Sequence, residues 1–373
     1  MKIATFNIQN LFHRDRSLLE KPYGKCVTDW VKELDELMVG NNRVSSNAER
    51  IQELAFLLGF DKTFDVPYAV MRRRAGFLFL KGMDYSKELK SGELTDWNGW
   101  IALQTAPLDP MAVKNKAKVI SQVNPDIMLL QEIEDRASLE EFNAQLLPQS
   151  DGEPFQEVVV VQSSDKRGQE MGILLKNGHR IKSVRTHCFG LGDNPNPKKE
   201  FFQYEIGTPS RQTIWLLAAQ LQEETKDKEI SDAFRKKEAQ RIADVYHELR
   251  ESGQKNIIVA GTLNAVSYCD SLSPLFRDTK MKDVTRHRLF KADFDEGRDA
   301  NYFRLGAYRM GVNIKQKDYL LLSPNLFANV KDSGLNRKAV WPDKKPMWSV
   351  YPSMQYKKQA ASEHPAVWAW INV

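Results

Sequence analysis

Cysteine is scarce in this chain of 373 residues, which contains only Cys26, Cys188 and Cys269. These residues are far apart in the sequence, their number is odd, and they form no C-x-x-C pair. The sequence therefore predicts neither a thiolate zinc site nor a disulfide framework. A reducing compartment is the simplest interpretation, and we expect a cytoplasmic location.

Long apolar runs are also missing, since none approaches the ~20 residues that a transmembrane helix requires. The first residues enter a strand pattern directly, without the apolar region of a secretory signal. A strong charge of one sign is absent too: 54 basic and 49 acidic residues leave a net charge of +5. This mild excess is compatible with anionic ligands, but it lacks the footprint of a dedicated nucleic-acid-binding domain.

Apolar strand patterns and a few amphipathic helices make up most of the remaining signal. The hydrophobic content of 42% is enough for a sizeable core, and the length fits one large domain or two ordinary ones. We predict helices at 46–59, 110–123 and 231–252. We predict strands at 2–8, 127–130, 157–162, 170–175, 181–187, 200–206, 212–221, 256–260, 318–323 and 365–373.

The helix that follows Asp109 has clear start and stop signals. Asp109 is a capping carboxylate, Pro110 occupies the first helical position, and Asn124-Pro125 ends the helix. Its spacing predicts a buried face formed by Val113, Ala117, Ile120 and Val123. The same interpretation places the lysines at 114, 116 and 118 off that face.

Several polar residues share one kind of position, inside or at the end of an apolar strand. They are Asn7, Glu132, Asn264 and Asp318, and Ser362-Glu363-His364 comes just before the last strand. Taken singly, each is more often a turn cap or a satisfied polar group than a ligand. Together they form a set of carboxylate and amide oxygens, which suits Mg²⁺ or Mn²⁺ better than zinc.

At these residues the chain resembles the endonuclease/exonuclease/phosphatase superfamily. Five segments match in the right order, although no single one is specific: 5–12 (Thr-Phe-Asn-Ile-Gln-Asn-Leu-Phe), 129–132 (Leu-Leu-Gln-Glu), Gly261-x-x-Asn264, 318–323 (Asp-Tyr-Leu-Leu-Leu-Ser) and Ser362-Glu363-His364-x-x-Val367. The resemblance implies an α+β fold, a four-layer α/β/β/α sandwich of two mainly antiparallel sheets flanked by helices. It also implies a site at one edge of the sandwich.

The resemblance further implies roles for the matching residues. Glu132 corresponds to a metal-bound glutamate, with Asn7 near the metal. His364 corresponds to the histidine that contacts the scissile phosphate, and Asp318 to the aspartate paired with it. Asn264 corresponds to the asparagine that helps to hold the phosphate or the attacking water.

Three positions depart from the family's pattern. Thr262 replaces the aspartate that orients and deprotonates the nucleophilic water, and a threonine cannot accept that proton near neutral pH. Gln220 stands where the family has a histidine, if 212–221 is aligned correctly, and it cannot carry charge. Glu363 replaces an aspartate, which keeps a carboxylate near the metal but moves it by one methylene.

Two functional hypotheses follow from this combination. The first is a phosphoester hydrolase, nuclease-like or phosphatase-like, that depends on a divalent metal and activates water in an altered way. The second is a catalytically degenerate homologue that binds a phosphorylated ligand, nucleic acid or a protein partner. A fold alone cannot decide between them, because function depends on the site.

The stretch at about 15–108 matches the resemblance poorly. We interpret 1–373 as a single domain with an insertion there. The arginines at 72, 73 and 74 could meet phosphates, although a solvated helical appendage is the simpler interpretation. Arg304 and Arg309 precede the Asp318 strand on an expected long loop, and we predict that they contact the phosphorylated substrate.

Overall fold

The computed structural model gives the backbone for most of the chain. The residues described are 1–20, 26–39, 45–60, 66–73, 78–79, 99–162, 169–189, 200–292, 316–342 and 348–373. They divide into two compact units. One is Met1–Phe12 with Leu108–Val373, and the other is His13–Pro107. The predicted substrate contacts Arg304 and Arg309, and also Arg74, lie outside the described residues.

The regular elements are numbered along the chain. The strands are β1 Lys2–Asn7, β2 His13–Asp15, β3 Ala69–Arg73, β4 Leu78–Phe79, β5 Gly99–Leu103, β6 Thr105–Pro107, β7 Ile127–Ile133, β8 Glu157–Val161, β9 Glu170–Leu175, β10 Arg180–Cys188, β11 Glu200–Gly207, β12 Thr213–Gln220, β13 Ile257–Thr262, β14 Lys282–Asp283, β15 Phe290–Lys291, β16 Asp318–Leu322, β17 Val330–Asn336 and β18 Ala366–Ile371. The α-helices are α1 Arg16–Glu20, α2 Cys26–Val39, α3 Ser45–Leu57, α4 Pro110–Val123, α5 Arg136–Glu141, α6 Lys228–Glu251, α7 Ser273–Phe276 and α8 Pro324–Ala328.

Two sheets form the body of the larger unit. The first has the strand order β15-β17-β18-β1-β7-β9-β8, and the second has the order β10-β11-β12-β13-β16-β14. Most neighbouring strands are antiparallel. The exceptions among these strands are the parallel pairs β1–β7, β15–β17 and β12–β13.

The sheets face each other across a shared core. Ile3, Leu129 and Ile173 of the first sheet belong to the same buried cluster as Leu216 and Ile258 of the second. Helix α4 covers the outer face of the first sheet, and α6 covers the outer face of the second. The predicted four-layer α/β/β/α sandwich of two mainly antiparallel sheets is therefore confirmed.

Helix α4 begins as the sequence predicted but differs on its buried face. Asp109 Oδ1 accepts a hydrogen bond from Met111 N over 2.9 Å, and Asn124 ends the helix in a left-handed conformation. The prediction that Lys116 lies off the buried face is wrong, because its side chain is only 1% exposed. Position 116 lies three residues after Val113, so the helical repeat itself places it on the inner face.

The unit His13–Pro107 has a core of its own. Buried residues of α2 and α3, such as Leu34, Ile51 and Leu54, pack with Met71 of β3 and Ile101 of β5. The predicted helix at 46–59 is confirmed as α3. Across the described residues of the whole chain, no helix combines the length and the apolar character needed to cross a bilayer.

Candidate functional site

The polar residues of the candidate site lie where strands of the two sheets end. In the second sheet, Gln220 is paired with Thr262, and Thr262 is paired with Asp318. Each of these three residues lies two positions along its strand from an inward-facing core residue: Gln220 and Thr262 follow Ala218 and Ala260, and Asp318 precedes Leu320. Because side chains alternate along a strand, all three point towards the first sheet.

Glu132 reaches the same space through an irregularity in β7. The alternation from Ile127 and Leu129 would place residue 131 inward and residue 132 outward. The pairing of β7 with β9 shifts register between Leu130 and Ile133, and Glu132 has φ 58°. This bulge changes the phase of the strand, so that Glu132 points inward while Ile133 joins the outer core.

One hydrogen-bonded chain links these side chains between the sheets. Its central member is Asn7, whose Nδ2 donates to Glu132 Oε1 at 2.9 Å and to Thr262 Oγ1 at 3.2 Å. Thr262 Oγ1 in turn donates to Asp318 Oδ1 at 2.9 Å, and Gln220 Nε2 donates to Glu132 Oε1 at 2.8 Å. Hydrogen bonds within a buried network of this kind hold the linked side chains in defined orientations.

His364 completes the chain at its far end. Its Nδ1 lies 2.9 Å from Oδ1 and 2.8 Å from Oδ2 of Asp318, and its side chain is 11% exposed. Burial lowers the pKa of the imidazole. The Asp318 carboxylate, helped by Glu132, outweighs burial, so the net pKa of His364 is raised from its ordinary value of 6.5. Because Nδ1 is held by Asp318, Nε2 is the nitrogen available to a ligand.

The backbone before His364 is tied to the backbone after Asn7. Ser362 Oγ donates to the carbonyl oxygen of Asn7 at 2.6 Å and accepts from His364 N at 3.1 Å. Gln9 Oε1 accepts from Glu363 N at 2.8 Å. These contacts join two segments that are more than 350 positions apart in the chain.

Left-handed backbone conformations are concentrated around the site. Gln9, Asn10, Glu132 and Asn264 have φ values of 51°, 66°, 58° and 53°. Such conformations are uncommon for residues other than glycine, and surrounding contacts must hold them in place. Position 261 requires a glycine, since a Cβ there would lie 2.0 Å from the carbonyl oxygen of Ala219.

Two predicted site residues have different surroundings. The amide of Asn264 is used locally, because its Nδ2 donates to the carbonyl oxygen of Leu221 at 2.8 Å. Glu363 has an exposed side chain, while its backbone N–H is bonded to Gln9. The structure thus joins six residues in one network of side-chain hydrogen bonds: Asn7, Glu132, Gln220, Thr262, Asp318 and His364.

The donor set at Glu132 is suited to a hard cation. Its Oε1 accepts two amide N–H groups, and in the described part of the chain no hydrogen bond occupies Oε2. With Asp318 ionised, two carboxylates share the site with one imidazole, so even a protonated His364 leaves negative charge. No group of three or more His, Cys, Asp or Glu side chains that could hold a metal occurs among the described residues. Mg²⁺ commonly binds through one or two carboxylates and completes its shell with water and substrate phosphate.

The amide of Asn7 is oriented by its neighbours. Its Oδ1 accepts the Gln9 N–H at 3.2 Å, and its nitrogen faces Glu132. In this orientation Asn7 positions the carboxylate. Direct coordination of a metal by Asn7 stays a prediction.

Sequence reasoning missed three supporting residues. Glu134 accepts the backbone N–H groups of Leu11 and Phe12, each at 2.6 Å. Gln9 lies inside the first matching motif, and its polar side chain beside Asn7 was the available signal. Lys116 was assigned to the wrong face of α4, although its spacing from Val113 could have identified it.

A comparison with solved protein structures found chains that are similar to this one. No family model matches the chain, and the search of curated proteins found no match either. An endonuclease/exonuclease/phosphatase from Bacteroides vulgatus is 12% identical, with a TM-score of 0.47, covering 69% of this chain and 89% of that chain. A mannosyl-6-phosphatase from Bacteroides thetaiotaomicron is 14% identical, with a TM-score of 0.47, covering 70% and 90%.

Truncated TDP2 from Caenorhabditis elegans is 18% identical, with a TM-score of 0.45, covering 70% of this chain and 91% of that chain. The chain is thus similar to these three solved structures over about 70% of its length.

Proposed function

We propose that this protein is a divalent-cation-dependent phosphoester hydrolase, nuclease-like or phosphatase-like, with altered activation of water. The observation that carries the proposal is the buried chain of hydrogen bonds from Glu132 through Asn7 and Thr262 to Asp318 and His364. It combines a carboxylate that can take a cation with an imidazole that favours its charged form. A bound cation and a positioned hydrogen-bond donor can each stabilise the charge that develops during phosphoryl transfer.

The roles of the residues follow from their contacts. Asp318 holds His364 Nδ1, which leaves Nε2 to donate a hydrogen bond or a proton to a phosphoryl or leaving-group oxygen. Gln220 and Asn7 fix the Glu132 carboxylate. We propose Mg²⁺ or Mn²⁺ as the cofactor, held by Glu132 and assisted by Asn7 or Glu363. When bound, the cation would neutralise phosphoryl charge and lower the pKa of water.

The alteration lies at Thr262. Its hydroxyl donates to Asp318 and accepts from Asn7, and its side chain is buried. It therefore neither removes a proton from water nor holds a water by its own O–H. Loss of a general base typically lowers a rate by about 10²–10⁴-fold. Part of that loss could be offset by the lower pKa that the cation gives to water.

The contacts of Thr262 also favour a second candidate function. A site that lacks the water-activating carboxylate but keeps Glu132, Asp318 and His364 could bind a phosphorylated ligand, nucleic acid or a protein partner without cleaving it. We place the hydrolase first because the network would otherwise maintain a raised pKa on His364 without a chemical use.

Substrate, domain organisation and location complete the proposal. The substrate is a phosphorylated molecule, either nucleic acid or a small phosphoester, which Arg304 and Arg309 would help to bind. We interpret the chain as one catalytic domain carrying an insertion, because β1 and β7 pair within one sheet although residues 13–107 separate them. The scattered cysteines support a cytoplasmic location.

A titration and an activity assay test the proposal together. Mn²⁺ binding is measured by isothermal titration calorimetry, and turnover is measured with bis(4-nitrophenyl) phosphate. The hydrolase predicts metal binding and a turnover that chelator, Glu132→Ala and His364→Ala each abolish. Binding of polyanions without turnover, unchanged by chelator, would establish the second function and exclude the first.

A further inference from the structure

Lys116 of α4 is a buried lysine that the mechanism above does not use. Its side chain is 1% exposed, and its Nζ donates to the carbonyl oxygen of Ile8 at 2.6 Å. The same Nζ also donates to the carbonyl oxygen of Ala361. A buried lysine is rare, and this one makes polar contacts to two backbone segments that lie far apart in the sequence.

Those two carbonyl groups belong to the segments that carry the site. Ile8 directly follows Asn7, and Ala361 directly precedes Ser362-Glu363-His364. One side chain thus joins the strand end on the Glu132 side to the segment on the His364 side. The neighbouring residue Asn115 adds a second tie, since its Nδ2 donates to the carbonyl oxygen of Gln359 at 2.8 Å.

The chemistry of lysine suits this position. An amine on a long stem offers several N–H donors to acceptors that point in different directions. An apolar side chain of the same length would leave both buried carbonyls without these donors, and buried acceptors of that kind are costly. Helix α4 holds the backbone of Lys116 in place, because Asp109 caps the helix and its apolar face packs on the first sheet.

We propose that Lys116 is a positioning residue that sets the distance between the Glu132–Asn7 side of the site and His364. The expected effect on activity rests on the proposed hydrolase function, whereas the expected effect on the geometry of the site does not. Displacement of reacting groups by about 1 Å can lower a rate by about 100-fold. Lys116 touches backbone on both sides of the site, so its loss would allow such a displacement without removing any reacting group.

The test compares Lys116→Met with Lys116→Arg, and Lys114→Met is the matched control. Lys114 lies on the same helix and is exposed, so its replacement tests for loss of charge alone. The first readout is the far-downfield proton resonance of the His364–Asp318 hydrogen bond, assigned by its loss in His364→Gln. The second is the steady-state rate with bis(4-nitrophenyl) phosphate. Circular dichroism checks that each variant is folded.

We expect Lys116→Met to be folded, to lose the resonance and to lower kcat by about 100-fold. Its KM should stay within about threefold, because no proposed substrate contact is removed. Lys116→Arg should restore the resonance and much of kcat, and Lys114→Met should match the unaltered protein. A folded Lys116→Met that keeps both the resonance and kcat would overturn the inference.

Two further outcomes remain decisive. If the unaltered protein shows no turnover, the proposed hydrolase fails, and the resonance alone decides the role of Lys116. If Lys116→Met does not fold, Lys116→Gln replaces it, since it keeps two N–H donors on a shorter side chain. A weakened resonance in folded Lys116→Gln supports the inference, and an unchanged one contradicts it.

Discussion

The hydroxyl of Thr262 donates a hydrogen bond to Asp318 over 2.9 Å, and the same Asp318 holds His364. Thr262 is thus part of the support for the imidazole. The resemblance predicts a water-activating aspartate at position 262, and the threonine found there makes a hydrogen bond within the site. Changing it should therefore affect both the activation of water and the environment of His364.

Thr262→Asp should raise activity if the missing carboxylate limits the rate. We expect kcat/KM for bis(4-nitrophenyl) phosphate to rise by about 10²-fold or more, the usual contribution of a general base. The variant should also require more divalent cation and be less stable without it, because a third carboxylate joins Glu132 and Asp318. Thr262→Val is the control for loss of the hydroxyl. An activity that stays flat in Thr262→Asp at saturating Mn²⁺ would contradict the proposed limitation.

Stability should depend on pH through His364. Its pKa is raised in the folded protein, since the charge and hydrogen bond of Asp318 and the charge of Glu132 together exceed the cost of burial. A raised pKa means that the folded state holds the proton more tightly. The resulting stabilisation is complete below the unfolded pKa and is lost as pH rises through the folded pKa.

The measurement compares the unaltered protein with His364→Gln by urea unfolding. The difference in free energy of unfolding should be largest at about pH 6 and should shrink towards about pH 9. Asp318→Asn should remove most of the pH dependence while keeping a hydrogen-bonding side chain. A difference that grows with pH would show that burial prevails over Asp318.

Glu132 should dominate the binding of cation. Glu132→Gln removes the charge but keeps the shape, and we expect Mn²⁺ affinity measured by calorimetry to fall at least about tenfold. Glu363→Gln is the matched comparison, because that side chain is exposed and next to His364. Equal losses in both variants would assign the cation to both carboxylates. A loss in Glu363→Gln alone would exclude Glu132 as the principal ligand.

Arg304 and Arg309 are expected to act in substrate binding. Arg304→Ala and Arg309→Ala should each raise KM for a phosphoester with little change in kcat, since each would remove a contact made equally in ground and transition states. Arg288→Ala serves as the control at an exposed arginine. If kcat falls while KM is constant, the arginine acts on the transition state instead.

Much of the fold follows from local sequence patterns. The apolar run at 127–130 and the segments at 200–206 and 212–221, which are rich in aromatic or aliphatic residues, predicted strands that the structure contains as β7, β11 and β12. The cap at Asp109 predicted the start of α4. These features depend on a few neighbouring residues, so sequence alone carries them.

The details of the site depend on contacts between distant segments. The ties from Lys116 to Ile8 and Ala361 span more than 100 and more than 200 positions, and no local pattern indicates them. The bond between Thr262 and Asp318 depends on strand register across the second sheet. Sequence placed these residues at strand ends, but their hydrogen-bond partners required the assembled sheets.

The bulge in β7 decides which face of the strand carries the carboxylate of Glu132. A variant of β7 that kept every residue but lost the bulge would be a regular strand of the same apolar character. The alternation from Leu129 would then turn Glu132 outward, and the carboxylate would leave the site although the residue is still in the sequence. For comparison with related chains, the spacing around this glutamate is therefore as informative as its presence. For redesign, an idealised strand at this place would keep Glu132 in the sequence but turn its carboxylate away from the hydrogen-bonded network.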